Sequence, residues 1–308
     1  MKKIFMTILL ITFAVSTYAG ERYGGFLSEK LNTRAVGLGE AYITISDGGG
    51  FLYNPAGLAY AEKLYLGYTM YSSYNDFNNY EVILPLVSGG GLALAASYTT
   101  LAVTGVEGRD HQGNLTGEII DSREGSIAAG MGLKFEENLG IGISIKQIRH
   151  ELGEREGEGV TVDFGLLSNI GDFLYLGAVM TNARGGILTW DEERNIYDDI
   201  PTTLRFGSSL RLFEDGFITA VEYENELGEI DRTVTKIGQE IWIKDTLALR
   251  VGRKAEKVVT IIDDIAYEES QVVMNYGAGL RIRGLRFDYA FSREDLGDVN
   301  RYTFGINF

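Results

Sequence analysis

The 308-residue chain contains no cysteine, only three prolines and only two histidines, His111 and His150. The absence of cysteine excludes disulfide bonds, thiolate metal sites and cysteine nucleophiles. Basic residues are also scarce, 28 against 43 acidic ones. Nucleic acid is therefore not expected as a partner, because phosphate binding needs a positive face. No nucleophile motif or metal-ligand spacing accompanies the histidines, so the sequence predicts no enzyme, no metal site and no cofactor.

Long hydrophobic runs are missing except at the start of the chain. Lys2 and Lys3 precede an apolar run over residues 4–15, and small side chains stand three places and one place before Gly20. This arrangement is typical of a secretory signal peptide that is cleaved after Ala19. The alternative, an N-terminal membrane anchor, needs about 20 apolar residues, and this run is too short. We therefore expect residues 1–19 to be removed on export.

The chain as a whole is rich in the residues of membrane β-barrels, with 40 glycines, 18 tyrosines and 15 phenylalanines. From about residue 64 onwards, apolar residues alternate with small or polar ones, as Ile143 and Ile145 alternate with Ser144 and Lys146. A period of two indicates strands and not helices. We count fourteen such segments, at about 64–71, 80–87, 90–101, 124–135, 139–152, 159–170, 173–183, 202–213, 216–227, 232–243, 246–257, 270–282, 284–294 and 300–308.

The connections between these segments also alternate. Those after even-numbered segments are very short, whereas those after odd-numbered segments include long ones at 102–123, 184–201 and 258–269. Short periplasmic turns and longer outer loops are the pattern of bacterial outer-membrane barrels. We therefore predict an all-β fold, a transmembrane antiparallel up-and-down barrel over residues 64–308, embedded in the outer-membrane bilayer. Acidic residues cluster in two of the loops; calcium would suit them, but no ligand spacing matches and a solvated surface is expected.

Residues 20–63 show no such alternation and contain two glycine- and alanine-rich motifs, R-A-V-G-L-G-E-A and N-P-A-G-L. Their marked residues are Arg34, Gly37, Gly39, Ala41, Asn54, Pro55, Ala56 and Gly57. The first motif is not a nucleotide fingerprint, because it lacks a third spaced glycine and the βαβ context. The second predicts a type I turn.

These two motifs and their spacing resemble those of the PorV/PorQ family, within the wider FadL-type superfamily of outer-membrane transporters. The resemblance implies a fourteen-stranded barrel whose N-terminal segment, residues 20–63, folds back into the lumen as a plug. The last seven residues, Y-T-F-G-I-N-F, present Tyr302, Phe304 and Phe308. They resemble the terminal signature that outer-membrane barrels offer to their assembly machinery, which would be a partner.

If the bulkier apolar residues face lipid, the other set faces the lumen, and its character changes along the chain. In the third to fifth strands this set is small, and we expect the plug to pack there. In the later strands it is charged with both signs, and we call this set the charged wall: Arg205, Arg211, Glu222, Glu224, Arg281, Arg286 and Asp288. The charges either pair across strands and with the plug, or they line a polar path or a ligand site.

Two functions follow from the resemblance. The first is transport of small hydrophobic solutes across the outer membrane. The alternative is a PorV-like component of a type IX-like secretion system that binds secreted protein cargo at its outer rim. A general porin is disfavoured, because a plug would block free diffusion. At 308 residues the chain also lacks the long outer loops that build an external ligand pocket in FadL-type transporters.

Overall fold

The computed structural model of the chain describes residues 32–47, 49–72, 76–87, 90–110, 112–183, 186–191, 196–228, 231–262, 265–294 and 297–308. The predicted signal peptide and residues 20–31 of the predicted plug lie outside the described residues. The two helices found here are short, α1 (Thr33–Gly37) and a 3-10 helix (Pro55–Tyr60). No helix in the described ranges is long and apolar enough to cross a membrane.

Strands make up most of the described chain. In order they are β1 (Tyr65–Ser72), β2 (Asp76–Pro85), β3 (Leu92–Arg109), β4 (Leu115–Glu136), β5 (Leu139–Leu152), β6 (Arg155–Ile170), β7 (Leu174–Thr181), β8 (Gly186–Asp191), β9 (Ile196–Ile200), β10 (Thr202–Leu212), β11 (Phe217–Leu227), β12 (Asp231–Ile243), β13 (Leu247–Ile262), β14 (Ile265–Ile282), β15 (Leu285–Glu294) and β16 (Gly297–Asn307).

Fourteen of these strands close into an antiparallel barrel. Each strand pairs with its neighbour in sequence, except that β7 pairs with β10 and the hairpin β8–β9 stands between them. The ring closes where β1 pairs with β16, with Tyr65 opposite Asn307. The predicted fourteen-stranded, up-and-down transmembrane barrel is therefore confirmed.

The outer surface of the barrel is an apolar band. Along β5, for example, Ile143 and Ile145 are exposed while Ser144 and Lys146 are buried. Tyrosine rings stack on this surface, Tyr68 on Tyr80 with centroids 4.8 Å apart. An outward apolar band with aromatic residues is what the hydrocarbon layer and its interfaces require of a barrel.

We call the end of the barrel where β1 begins and β16 ends the terminal end, and the opposite end the loop end. Connections at the terminal end are tight. At Lys244 and Asp245 the φ angles are 53° and 54°, as in the type I′ turns that join two antiparallel strands. Phe308 ends the chain here, where its N–H donates to the carbonyl of Leu64 at 2.9 Å.

The loop end differs from the prediction. The segments 102–123 and 258–269 were expected to be loops, yet β3, β4, β13 and β14 extend through most of them, and 184–201 contains the hairpin β8–β9. The reason is exposure on both faces. Glu118 and Ile119 are neighbours on β4 and both are exposed. Outside the bilayer neither face of a hairpin is apolar by necessity, so the alternation that reveals strands disappears.

The described part of the predicted plug lies inside the barrel. We call residues 32–47 and 49–60 the inner segment. Its side chains are almost fully enclosed, with Ala35, Val36 and Leu38 at 0% exposure. The apolar side chains of Ala35, Leu38, Tyr42, Ile45 and Tyr53 pack together as a small core of its own. The boundaries of the predicted plug, at residues 20 and 63, remain predictions.

Candidate functional site

The first motif folds as a capped helical turn. The side chain of Asn32 accepts hydrogen bonds from the N–H of Arg34 at 2.9 Å and of Ala35 at 3.4 Å, so it caps α1. The helix ends at Gly37, and Gly39 adopts φ 63°, a conformation that favours glycine after a helix. Gly39 lies within reach of the β13 backbone at Arg253. Ala41 follows, 1% exposed.

The second motif folds as the predicted turn continued into a 3-10 helix. The side chain of Asn54 accepts from the N–H of Ala56 at 3.0 Å, and Pro55 occupies the first helical position. The Asn54 amide also donates to the carbonyl of Ile43 at 2.7 Å and to that of Leu166, on β6, at 3.1 Å. Asn54 therefore ties two parts of the inner segment to the wall. Gly57 is only partly buried and lies against Ser46.

Inward-facing glycines surround the inner segment. A Cβ atom added at Gly142 would lie 2.2 Å from the carbonyl carbon of Pro55, and one added at Gly252 would lie 1.9 Å from the nitrogen of Gly39. Such distances leave no room for a side chain, so the backbone of the segment rests directly on the wall. Further glycines that contact the segment are Gly130, Gly132, Gly140, Gly165, Gly177, Gly207, Gly238 and Gly277.

These glycine contacts show that the expected position of the plug was only partly right. The sequence prediction placed the whole plug against the small side chains of β3–β5. The 3-10 helix does lie there, with Leu58 and Ala59 against Gly132. Residues 37–39, however, rest on glycines of β12, β13 and β14, beside the charged wall. Glycine at an inward position of a strand is the signal that would have revealed these contacts.

Six charged side chains of alternating sign join the inner segment to the wall in a closed ring, which we call the charge ring. In order around the ring they are Arg34, Glu240, Arg250, Asp288, Arg286 and Asp47. Arg34 and Asp47 belong to the inner segment, and the other four project from β12, β13 and β15. The three positive and three negative charges cancel.

The contacts of the charge ring are close. Arg34 Nε lies 2.8 Å from Glu240 Oε2, Arg250 Nη1 lies 2.7 Å from Asp288 Oδ1, and Arg34 Nη1 lies 2.9 Å from Asp47 Oδ2. Arg286 also bonds Asp47. Burial raises the pKa of Asp47, but the guanidinium groups of Arg286 and Arg34 more than offset this and hold that pKa below its ordinary value. The carboxylate is therefore ionised at neutral pH.

A second cluster of charges centres on Glu222 in β11. Its Oε1 accepts from Arg205 Nη2 at 2.6 Å and from Lys236 Nζ at 3.0 Å. Its Oε2 accepts from the N–H groups of Tyr42 and Ile43 in the inner segment, at 2.9 and 3.2 Å. Beside it, Glu224 accepts from Lys236 at 2.6 Å and from Arg232 at 2.7 Å. The cluster therefore joins three strands to the inner segment.

Two members of the predicted charged wall do not fit the pairing interpretation. The register places Arg281 opposite Arg286, a like charge. Arg281 is exposed at the terminal end, 4.4 Å above the ring of Trp242, and bridges no carboxylate among the described residues. Arg211 donates to the carbonyl of Thr44 at 2.8 Å, and among the described residues the carboxylate near it is that of the exposed Asp215, at 3.6 Å. Both lie one or two residues from a tight turn, where cross-strand partners end.

Above the inner segment, towards the loop end, the inner wall is apolar. Tyr71, Phe77, Leu101, Ile148 and Val299 project inward from β1, β2, β3, β5 and β16 and pack into one buried cluster, which we call the apolar chamber. Apolar inner faces are unusual for barrels, whose lumens are generally polar. The sequence analysis did not identify this chamber.

The hairpin β8–β9 closes the apolar chamber. Leu188 and Ile200 of the hairpin are 2% and 1% exposed and belong to the same cluster, and Trp190 packs against it. The hairpin leaves the wall where β7 ends, and β8 pairs with β6 only at Leu188 and Thr189. His150 lies beside it, 5.0 Å from the Trp190 ring and 3.1 Å from the hydroxyl of Ser122.

A small cavity at the loop end, of about 70 Å³, is lined by Lys254, Glu256, Gln271, Val273 and Glu294. Within the described ranges, no three Asp, Glu or His side chains are grouped as a metal ion would require. The predicted acidic loops lie partly outside the described residues, at 192–195 and 263–264.

The C-terminal residues take the positions expected of a barrel strand. Phe304 is exposed on the outer surface, 5.1 Å from the ring of Phe287. Tyr302, two residues before Phe304, lies on the same face of the strand, and the centroid of its ring is 5.5 Å from that of Tyr289. Phe308 is 66% exposed at the terminal end. An assembly role for these residues stays a prediction.

Solved structures with the same fold are outer-membrane channels. The Ralstonia pickettii toluene transporter TbuX matches with a TM-score of 0.67 at 13% identity, over 91% of this chain and 99% of that one. The Pseudomonas putida toluene transporter TodX matches with a TM-score of 0.61 at 14% identity, over 88% and 95%. A Pseudomonas aeruginosa FadL homologue matches with a TM-score of 0.61 at 11% identity, over 91% and 98%.

At these identities the likeness establishes the fold, a barrel of the FadL type, and nothing finer. No protein-family model matches the sequence, and a comparison with curated protein sequences finds no match. The PorV/PorQ resemblance therefore stays an expectation from the two motifs.

Proposed function

We propose that this protein is a non-enzymatic channel that admits small hydrophobic solutes through the outer membrane. The observation that carries the proposal is the apolar chamber, five inward apolar side chains at the loop end of the lumen. Such a surface offers water no hydrogen-bond partner, whereas the transfer of a hydrocarbon from water to an apolar surface is favourable in free energy. The likeness of fold to toluene transporters supports the same reading.

The orientation of the barrel follows from its two kinds of connection. Tight turns and the C-terminus lie at the terminal end, as they do on the periplasmic side of outer-membrane barrels. The loop end then faces outward. A solute would enter beside the hairpin β8–β9, occupy the apolar chamber, and meet the inner segment below it. Tyr302, Phe304 and Phe308 would engage the assembly machinery during insertion.

The inner segment is the barrier in this proposal. Its backbone rests on wall glycines and its charges are paired, so passage through the lumen requires part of it to move. Residues 32–47 are held mainly by hydrogen bonds and ion pairs, whereas residues 51–60 pack into the apolar wall. We infer that the first part moves and the second part stays. General diffusion of polar solutes is not expected through a lumen filled in this way.

The secretion alternative is not developed, because the solved structures with the same fold are toluene transporters and no comparison points to a protein cargo. Apolar side chains are exposed at the described loop end, Ile119, Ile187 and Tyr197 among them, but exposure alone does not identify such a partner.

The proposal is tested by solute entry into cells that express the protein in their outer membrane. We expect labelled toluene to enter faster than in cells without the protein, and a sugar of similar size to enter no faster. Ile148→Asn places an amide in the apolar chamber and should reduce toluene entry to the host level. Val234→Asn is the matched control, since Val234 is an equally buried inward residue of β12 outside the chamber.

Heat-modifiable migration on gels would show that both variants form the barrel. Equal toluene entry in wild type and Ile148→Asn would contradict the proposal. So would an equal loss in Val234→Asn, since the effect would then belong to the barrel and not to the chamber.

A further inference from the structure

One buried carboxyl group of the lumen takes no part in the ion pairs described above. Glu81 of β2 points inward and is 7% exposed. It forms no ion pair with another described residue, and its Oε1 is buried without a hydrogen-bond partner. The other buried carboxylates of the described chain each lie 3.1 Å or less from a lysine or arginine nitrogen: Glu40, Asp163, Glu222, Glu224, Glu240 and Asp288.

The wall around Glu81 supplies hydroxyl groups and not cations. Across the ladder Glu81 lies opposite Ser97 of β3 and Gly67 of β1. The ring of Tyr65 covers Gly67. The hydroxyls of Ser97 and Tyr65 are buried, and neither has a hydrogen-bond partner among the described residues. No group on the described wall beside Glu81 is therefore placed to balance a negative charge there.

On the side of the inner segment, Glu81 lies against Gly49. A Cβ atom added at Gly49 would be 3.4 Å from Glu81 Oε2. Gly49 has φ 109°, a backbone conformation that favours glycine. It stands between residues 32–47, which move in the proposed function, and residues 51–60, which stay. Glu81 is therefore next to the joint of the inner segment.

Two charged groups act on Glu81, the carboxylate of Asp47 and the guanidinium of Arg286. Arg286 bonds both Asp47 and Asp288, and the charge ring that contains all three has no net charge. A negative charge on Glu81 would therefore be unpaired and would face the like charge of Asp47. Burial and a like charge both disfavour ionisation, so the closed lumen favours the protonated carboxyl group.

We propose that Glu81 is a proton switch for the inner segment: its protonated form keeps residues 32–47 seated, and its ionisation releases them. The switch rests on the movement of these residues that the proposed function requires. Once they have moved, water reaches Glu81, and a carboxyl group in water ionises above about pH 4. The released state then binds one proton fewer than the seated state. A rise in pH therefore favours release, by at most about tenfold per pH unit.

Ion conductance in planar bilayers tests the switch. We expect the conductance of the wild-type protein to rise several-fold between pH 6 and pH 9. Glu81→Gln keeps the shape of the protonated acid and Glu81→Ala removes the carboxyl group, so neither variant should respond to pH over this range. Glu136→Gln is the control, because Glu136 is exposed at the terminal end of β4, and it should respond as the wild type does.

Heat-modifiable migration on gels would show that each variant forms the barrel. A wild-type conductance that does not change with pH would overturn the proposal, and so would an equal rise in Glu81→Gln or Glu81→Ala. Loss of the response in Glu136→Gln would also overturn it, since the effect would then not be specific to Glu81. Because ions carry the current, the result does not depend on whether toluene is the transported solute.

Discussion

Replacing Glu222 with glutamine is the sharpest test of how the lumen is held together. The side chain is 1% exposed, and its two oxygens accept from Arg205, Lys236 and the N–H groups of Tyr42 and Ile43. Glutamine keeps the shape and one acceptor oxygen but removes the negative charge. It also turns an NH₂ group towards groups that donate.

The expected loss of stability depends on the charges that remain near Arg205 and Lys236. Removing one member of a buried ion pair costs about 3–5 kcal/mol, mostly because its partner stays buried and unpaired. Glu224 is still 2.6 Å from Lys236 and 3.6 Å from Arg205 and can take up part of their charge. We therefore expect the lower end of that range, about 3 kcal/mol. At about 2.1 cal/mol/K of unfolding entropy per residue, this corresponds for a chain of this size to a fall in Tm of about 5 °C.

The assay is the temperature at which the compact barrel band disappears on gels, measured for folded protein in detergent. Glu154→Gln is the matched control, because Glu154 is exposed in the turn between β5 and β6, and it should change the free energy of unfolding by less than about 0.5 kcal/mol. An unchanged midpoint in Glu222→Gln would refute the pairing interpretation. If toluene entry changed at the same time, the charged wall would be a functional surface.

Three further predictions test the inner segment. Gly142→Ala should destabilise the barrel by about 1–3 kcal/mol, because the added Cβ would overlap the Pro55 backbone. Gly125→Ala is the control and should not destabilise it, because the nearest atom to the added Cβ is 3.5 Å away. Thermal melting in detergent measures both. The lowered pKa of Asp47 contributes stability that is present above about pH 4 and is lost as the pH falls through the lowered pKa. Asp47→Asn should therefore melt lower than wild type at pH 7 and approach it at pH 3. Deleting residues 34–59 should leave a barrel with raised ion conductance in planar bilayers; unchanged conductance would show that the segment does not fill the lumen.

The barrel could be predicted from the sequence because a bilayer constrains both faces of every strand. Ile143 must face lipid and Ser144 must not, so the period of two is visible for as long as the strand lies in the membrane. The same reasoning explains the errors at the loop end. Ile119 and Glu118 extend into water, where neither face is constrained, and the strands continue there without a pattern.

The site could be predicted only in part. Arg205, Glu222, Arg286 and Asp288 were identifiable as inward charges, but their partners depend on a segment that has no period. Asp47 carries no signal in the sequence, yet it closes the charge ring. The hairpin β8–β9, which carries Leu188 and Ile200, also escaped prediction, because no period in the sequence marks where β7 ends and the hairpin leaves the wall.

The most direct test of the account fixes the inner segment to the wall. The hydroxyls of Thr33 and Thr303 are 2.8 Å apart, so cysteines at both positions are close enough to form a disulfide after small shifts. The measurement is the initial rate of toluene entry into cells that carry this variant, before and after treatment with a reductant. We predict entry at the host level while the disulfide is intact and entry at the wild-type rate after reduction. Equal, fast entry in both states would contradict the claim that solutes pass through this lumen by moving residues 32–47.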